Sequence, residues 1–138
     1  MKEQRERRLQ DRIVEEMAVD RTDALEKNFD LAKRFVGVRR DGGVEVLVRD
    51  KVTGKEQILL YLIRKLYAKA AGFTATDDVG NSELMEELGL PKGSLLPWLK
   101  ELRDKNEIIR ITRGRYAYHA ISVNLVEETL TRIDRKLT

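Results

Sequence analysis

The chain has 138 residues, 41% hydrophobic and 37% charged, which suffices for one core under a densely charged surface and is too short for two ordinary domains with a linker. With no cysteine and a single histidine, His119, disulfides, thiolate metal sites and His/Cys zinc clusters are excluded, and no metal or cofactor is expected. The formal net charge is only +3, but residues 91–118 hold seven bases against three acids while the rest of the chain is near balance, so the positive excess is local.

Residues 1–12 alternate acids and bases with no apolar stretch, which excludes a standard secretory signal and points to the cytoplasm. Over 3–19, Leu9, Ile13 and Met17 recur every four residues. That stripe predicts a helix too thinly apolar for a core position, lying on another surface or on a second copy. Asp20 and Thr22 offer capping oxygens to a helix over 23–34, with Leu25, Phe29 and Ala32 inward and Gly37 after its end. In 35–49, Asp41-Gly42-Gly43 precedes the alternating Val44, Val46 and Val48, the pattern of a β-hairpin.

Thr53-Gly54-Lys55-Glu56 has the spacing of a capping box, and the helix it opens should run to Ala71 and stop at Gly72. Its segment 58–63 leaves no polar side, so this is the expected central helix, buried from several directions. That apolar run is far short of the ~20 residues needed to cross a bilayer, and no membrane partner is expected. A loop over 73–80 follows, with Asp77 and Asp78 read as solvated. Asn81 or Ser82 can cap a short helix ending at Leu88 and Gly89, with Leu84 and Leu88 inward.

Pro97 constrains the next helix. Proline is tolerated in a first turn and costs ~3 kcal/mol or more in a helix interior, so Ser94 is the expected N-cap of a helix over 95–105 with Leu95, Leu99 and Leu102 inward. Residues 107–112 alternate as a strand, Arg113-Gly114-Arg115 turns, and 116–120 returns. Ser122 caps a last helix in which Val123, Val126, Leu130, Ile133 and Leu137 follow an a/d seam. That seam is read either as a dimer contact through Val126, Leu130, Ile133 and Leu137 or as the face packed on its own domain.

The order helix, helix, tight turn, helix, hairpin carries local matches: Glu83-Leu84, Leu88-Gly89-Leu90, Leu99-Lys100-Glu101-Leu102, Asn106, Ile108 and the tip Arg113-Gly114-Arg115. Over 53–120, about half of the chain, it resembles bacterial and archaeal winged helix-turn-helix transcription regulators. The expected class is α+β, mainly helical: an N-terminal helical extension and hairpin over 1–52, a winged helix-turn-helix domain over 53–120, and a C-terminal amphipathic helix over 121–138. The segment before 53 matches no subfamily.

The resemblance implies a homodimeric transcription regulator that binds double-stranded DNA, with helix 95–105 in the major groove and the wing 107–120 on the backbone. Carried over by position, Lys92, Gly93 and Ser94 would hold a phosphate at the helix entry. Lys100 and Arg103 lie further along its outer side, and Arg110, Arg113 and Arg115 belong to the wing. The departure is Leu96-Pro97-Trp98, standing where many such regulators present polar base-reading residues. Either Trp98 folds back towards Leu102 in the core, or the three form an apolar patch for a protein partner or a thymine methyl. In the second case the chain would be a winged-helix protein-interaction module. No enzyme is expected: His119 stands alone, no catalytic set accompanies it, and no Walker-type glycine loop occurs. A small-molecule site between the N-terminal segment and the central helix is compatible with this reading, although no residue in the sequence identifies one.

Overall fold

A computed structural model describes Leu9 and residues 21–38, 44–47 and 49–137. In chain order its elements are α1 (Arg21–Lys27), α2 (Phe29–Ala32), β1 (Val36–Val38), β2 (Val44–Val46), a 3-10 turn (Arg49–Lys51), α3 (Gly54–Ala70), β3 (Val79–Gly80), α4 (Asn81–Leu88), α5 (Lys92–Asp104), β4 (Ile109–Arg113), β5 (Tyr116–Ala120), a second 3-10 turn (Val123–Leu125) and α6 (Val126–Leu137). The protein is α+β and mainly helical, with a two-stranded sheet β1-β2 and a three-stranded antiparallel sheet in the order β3-β5-β4.

Helix α3 forms where the capping box places it. The Thr53 hydroxyl accepts from the Glu56 amide at 3.2 Å, and the Glu56 carboxylate accepts from the Thr53 amide at 2.8 Å, so two amides that no helical carbonyl can reach are satisfied. From Ile58 to Ile63 every side chain is buried, because different elements close on each side of the helix. Leu84, Leu95, Leu99 and Leu102 come from α4 and α5, Val126, Leu130 and Ile133 from α6, and Phe35 and Val36 from the hairpin region. Burying each such side chain fully is worth about 1.5–3 kcal/mol, which makes α3 the axis of the single core.

Several expectations change here. The helix expected over 23–34 is divided at Asn28, whose backbone departs from helical values (φ −100°, ψ 5°) while its side chain donates to the Ala24 carbonyl at 2.8 Å. The break rotates the following turn. Leu25 and Ala32 point inward as expected, but Asn28 is buried and Phe29 is 52% exposed. The hairpin forms in the register Val36↔Val46 and Val38↔Val44; its turn at 41–43 and Val48 lie outside the described residues. Of the charged helix expected over 3–19, only Leu9 is described, helical and exposed.

The a/d seam of α6 is also reassigned. Val126, Leu130 and Ile133 are fully buried and Leu137 is half-buried against the same core. The stripe faces α3 and its neighbours, so Val126, Leu130 and Ile133 offer no open surface for a dimer and Leu137 is partly covered by the same core. Ser122 caps the 3-10 turn before the helix, accepting from the Asn124 amide at 3.4 Å. Among the described residues, no helix is long and apolar enough to cross a membrane.

Candidate nucleic-acid interface

Helix α5 begins at Lys92, ahead of the expected start, with Pro91 at the N-cap and Pro97 inside. Ser94 is therefore a helical residue and caps nothing. Its amide and that of Leu95 both donate to the Pro91 carbonyl, at 3.0 and 2.9 Å, so the first turn is closed before the proline is reached. Only the bond from position 97 to the carbonyl of Gly93 is forgone, and the interior proline is tolerated for that reason. No side chain caps this helix. The amides of Lys92 and Gly93 precede its first internal bonds, and both residues are exposed.

Leu95, Leu99 and Leu102 face inward as expected, each at most 2% exposed. The helical period of 3.6 then divides the remaining residues of α5 between two flanks. One flank faces the start of α3: Glu101 accepts from Lys55 at 2.8 Å, and the Trp98 ring lies over Gly54, where a Cβ would come within 2.3 Å of Cζ3. The opposite flank, spaced four, four and three residues apart, carries Lys92, Leu96, Lys100 and Arg103. The apolar patch considered for Leu96, Pro97 and Trp98 is thus not assembled. Trp98 is half-buried against Gly54, leaving Leu96 and Pro97 exposed.

The hairpin is aimed by the way α5 ends. Asn106 takes a left-handed conformation (φ 58°), its amide bonds the Arg103 carbonyl, and the Glu107 amide bonds the Leu102 carbonyl, both at 2.9 Å. This double closure turns the chain sharply off the helix and buries Ile108. Strands β4 and β5 pair from Ile109↔Ala120 to Arg113↔Tyr116, around a turn in which Gly114 has φ +62°. Part of the segment read as a loop is a third strand: Val79 pairs with His119 and Gly80 with Tyr118.

That third strand overturns the reading of Asp78 as solvated. Asp78 is buried, and its carboxylate accepts two bonds from the Arg113 guanidinium, at 2.6 and 3.4 Å. The guanidinium also lies 5.3 Å from the Tyr118 ring centroid. Arg113 stands on the wing as expected, its side chain 54% exposed, and there braces the hairpin against the chain leading into α4, since its fork matches the buried Asp78 carboxylate. Asp77 is paired more loosely, 3.9 Å from Lys69.

His119 is the second brace. It is 2% exposed, and its Nε2 donates to the Asn81 side-chain oxygen at 2.8 Å. Asn81, considered as a cap, is the first helical residue of α4 and ties that helix to β5, while Gly80 takes the N-cap position without a side-chain bond. Burial first, and then the charges of Arg103 and Arg110, push the imidazole down to about 4. His119 is therefore neutral at pH 7, and Arg103 and Arg110 converge on it from α5 and β4. Sequence reasoning missed Asp78 and Asn81; the only signal was their position just before a helix, which capping explains equally well.

Lys92, Lys100, Arg110 and Arg115 are exposed and Arg103 is half-buried. None of the five lies in a salt bridge with another described residue, whereas Lys27, Lys33, Arg34, Lys55, Lys69, Arg132 and Lys136 all do. The flank of α5 and the hairpin beside it thus keep a positive field that the rest of the described surface neutralises. Among the described residues, no cluster of His, Cys, Asp or Glu has the arrangement of a metal site. Comparison with family models, with curated proteins and with solved structures finds no match to this chain.

Proposed function

We propose that residues 53–120 act as a winged helix-turn-helix unit that binds duplex DNA and serves in transcription regulation. In this reading α3, α4 and α5 are its three helices and β4–β5 its wing. The strand order β3-β5-β4 supports it, because a short strand between the first two helices completes the sheet on which a wing is built. The observation that carries the function is the set of cations on α5 and the hairpin that lie in no salt bridge with another described residue, Lys92, Lys100, Arg103, Arg110 and Arg115, while most other cations of the described surface are paired.

The chemistry follows from that set. An exposed helix N-terminus bearing Lys92 suits a phosphate, since its amides and partial positive charge both favour an anion. Lys100, Arg110 and Arg115 would neutralise further phosphates, and each contact releases condensed counterions. Direct base reading is limited by Leu96 and Pro97 on the exposed part of α5, so affinity would come mainly from the backbone and vary little with sequence. Arg113 takes no part, because Asp78 holds it.

The test is fluorescence anisotropy of a labelled random duplex titrated with the protein at 50 and 200 mM salt. Four or five phosphate contacts imply a loss of affinity of roughly two to three orders of magnitude across that range. An absence of binding at the lower salt would refute the assignment.

A further inference from the structure

Beneath the basic face lies a buried titratable group. His119 is the single histidine of the chain and is 2% exposed. Its Nε2 donates to the Asn81 side-chain oxygen at 2.8 Å, so in the neutral ring Nδ1 carries a lone pair and no proton. That Nδ1 is buried and meets no hydrogen-bond partner among the described residues. Asn81 thus fixes the ring through one nitrogen, and the other can take a proton without loss of the bond that ties β5 to α4.

Two cations of the basic face bear on this ring. Arg110 stands directly opposite His119 in the β4–β5 register, and side chains so placed share one face of the sheet, with Cβ atoms about 4.5–5.5 Å apart. Arg103 acts on it from α5, half-buried where Arg110 is exposed. From α4 the ring is faced by the uncharged Asn81, and β3 meets the same position through Val79. Burial first, and then the two positive charges, hold the imidazole at about 4. The charges that oppose its protonation are therefore ones that a bound polyanion would offset. Burial, by contrast, is already almost complete in the free chain. A duplex covering the face adds little desolvation, and what it changes at His119 is the charge around the ring.

We propose, resting on the DNA-binding reading, that His119 links that binding to pH: phosphates seated on Arg103 and Arg110 favour the imidazolium, and duplex affinity rises as the pH falls. The sign follows from linkage, since a group that holds its proton more tightly in the complex takes one up on binding, and the gain is absent well above its bound midpoint. The test follows the imidazole Cε1–H resonance of the full chain, which belongs to His119 alone, through pH titrations with and without a saturating random duplex at 50 mM salt. Anisotropy gives the affinities at pH 7 and 5. The midpoint in the complex is expected about 1–1.5 units above that of the free chain, and affinity at pH 5 roughly two- to fourfold above that at pH 7, beyond any change in His119→Gln. Arg110→Gln, which removes one of the two charges, raises the midpoint of the free chain. Binding at pH 7 with a midpoint unmoved by the duplex would overturn the proposal and leave the DNA reading standing, whereas no binding at pH 7 removes both. A pH response equal in the native chain and His119→Gln, or a free midpoint unmoved in Arg110→Gln, also overturns it. Should His119→Gln not fold, the two native midpoints decide by themselves.

Discussion

Around α1, α3 and α6, Lys27, Arg34, Lys55, Arg132 and Lys136 each meet a carboxylate at 2.6–3.2 Å. On the flank of α5 and on the β4–β5 hairpin, Lys92, Lys100, Arg110 and Arg115 meet none among the described residues. Exposed pairs of this kind are worth about 0–1 kcal/mol each, so pairing cations on one side is no large source of stability. Its larger consequence is electrostatic. Among the described residues it leaves positive charge without a carboxylate partner on one helix flank and one hairpin, where a polyanion would be steered. Arg113 belongs by sequence to the unpaired group and by structure to the paired one, which shows that position in a basic run does not decide the role of a cation.

The largest effect should come from removing the unpaired group. Lys100→Ala, Arg110→Ala and Arg115→Ala together are expected to weaken binding to a random duplex by roughly 100- to 1000-fold and to lower the salt slope by about 2–3. The matching triple change on the paired side, Lys27→Ala, Arg132→Ala and Lys136→Ala, should leave affinity within a few-fold. Anisotropy titrations of both variants at two salt concentrations measure the contrast, and equal losses would dissolve it.

The buried imidazole at the junction of the two regions gives the next effect. With a folded pKa near 4 against about 6.5 unfolded, the unfolded chain binds the additional proton between those values. Stability contributed by neutral His119 is therefore complete above pH 6.5 and is lost as the pH falls towards 4, by on the order of 3 kcal/mol. Urea denaturation at pH 7, 5 and 4 should show this fall in the native chain and a flatter response in His119→Gln, whose amide can still bond Asn81. A native chain as flat as the variant would mean that the imidazole is not buried as the structure places it.

Much of the architecture could be read from local pattern. The capping box at Thr53, the all-apolar run 58–63, the inward Leu95, Leu99 and Leu102, and the turn at Gly114 each depend on neighbours in sequence. What escaped depends on long-range contact. A half-buried sheet gave Asp78 a guanidinium from a residue 35 positions away, and no local rule distinguishes that aspartate from a solvated one. The α6 seam has the same period whether its partner is another chain or α3, so periodicity could not choose between them. Pro97 misled through a sound rule: its cost is lowest in the first turn, but here only one helical bond is given up, and the tertiary burial of Leu95, Leu99 and Leu102 exceeds it. Arg64 drew no notice because an arginine within an apolar helix looks like a solvated face until neighbours close over it.

Gly54 tests the flank of α5 that faces α3. Alanine in place of glycine at a first helical position is ordinarily harmless or favourable, but a Cβ here would lie 2.3 Å from the Trp98 ring. Gly54→Val should displace the ring and cost about 1–3 kcal/mol as overpacking. Trp98 is the only tryptophan, so its emission reports the displacement directly, shifting to longer wavelength as the ring enters water. An unchanged spectrum would mean that the flank is not closed against α3, and Leu96, Pro97 and Trp98 would again form one apolar patch.

The smallest expected effect is the most specific to the contrast between the two surfaces. Arg132 on α6 pairs with Glu107 at 2.7 Å, with side chains 49% and 22% exposed, and Glu107 sits in the turn that leads from α5 into β4. Arg132→Ala should cost less than about 1 kcal/mol, as exposed pairs do, while uncovering one negative charge beside the unpaired cations. At 0.15 M salt the Debye length is about 8 Å, so the uncovered charge is screened over much of its distance to the hairpin tip, and duplex affinity should fall by no more than about twofold. At tenfold lower ionic strength the screening relaxes and the deficit should widen. A loss above fivefold at 0.15 M would place Arg132 among the DNA contacts and move the edge of the interface from α5 onto α6.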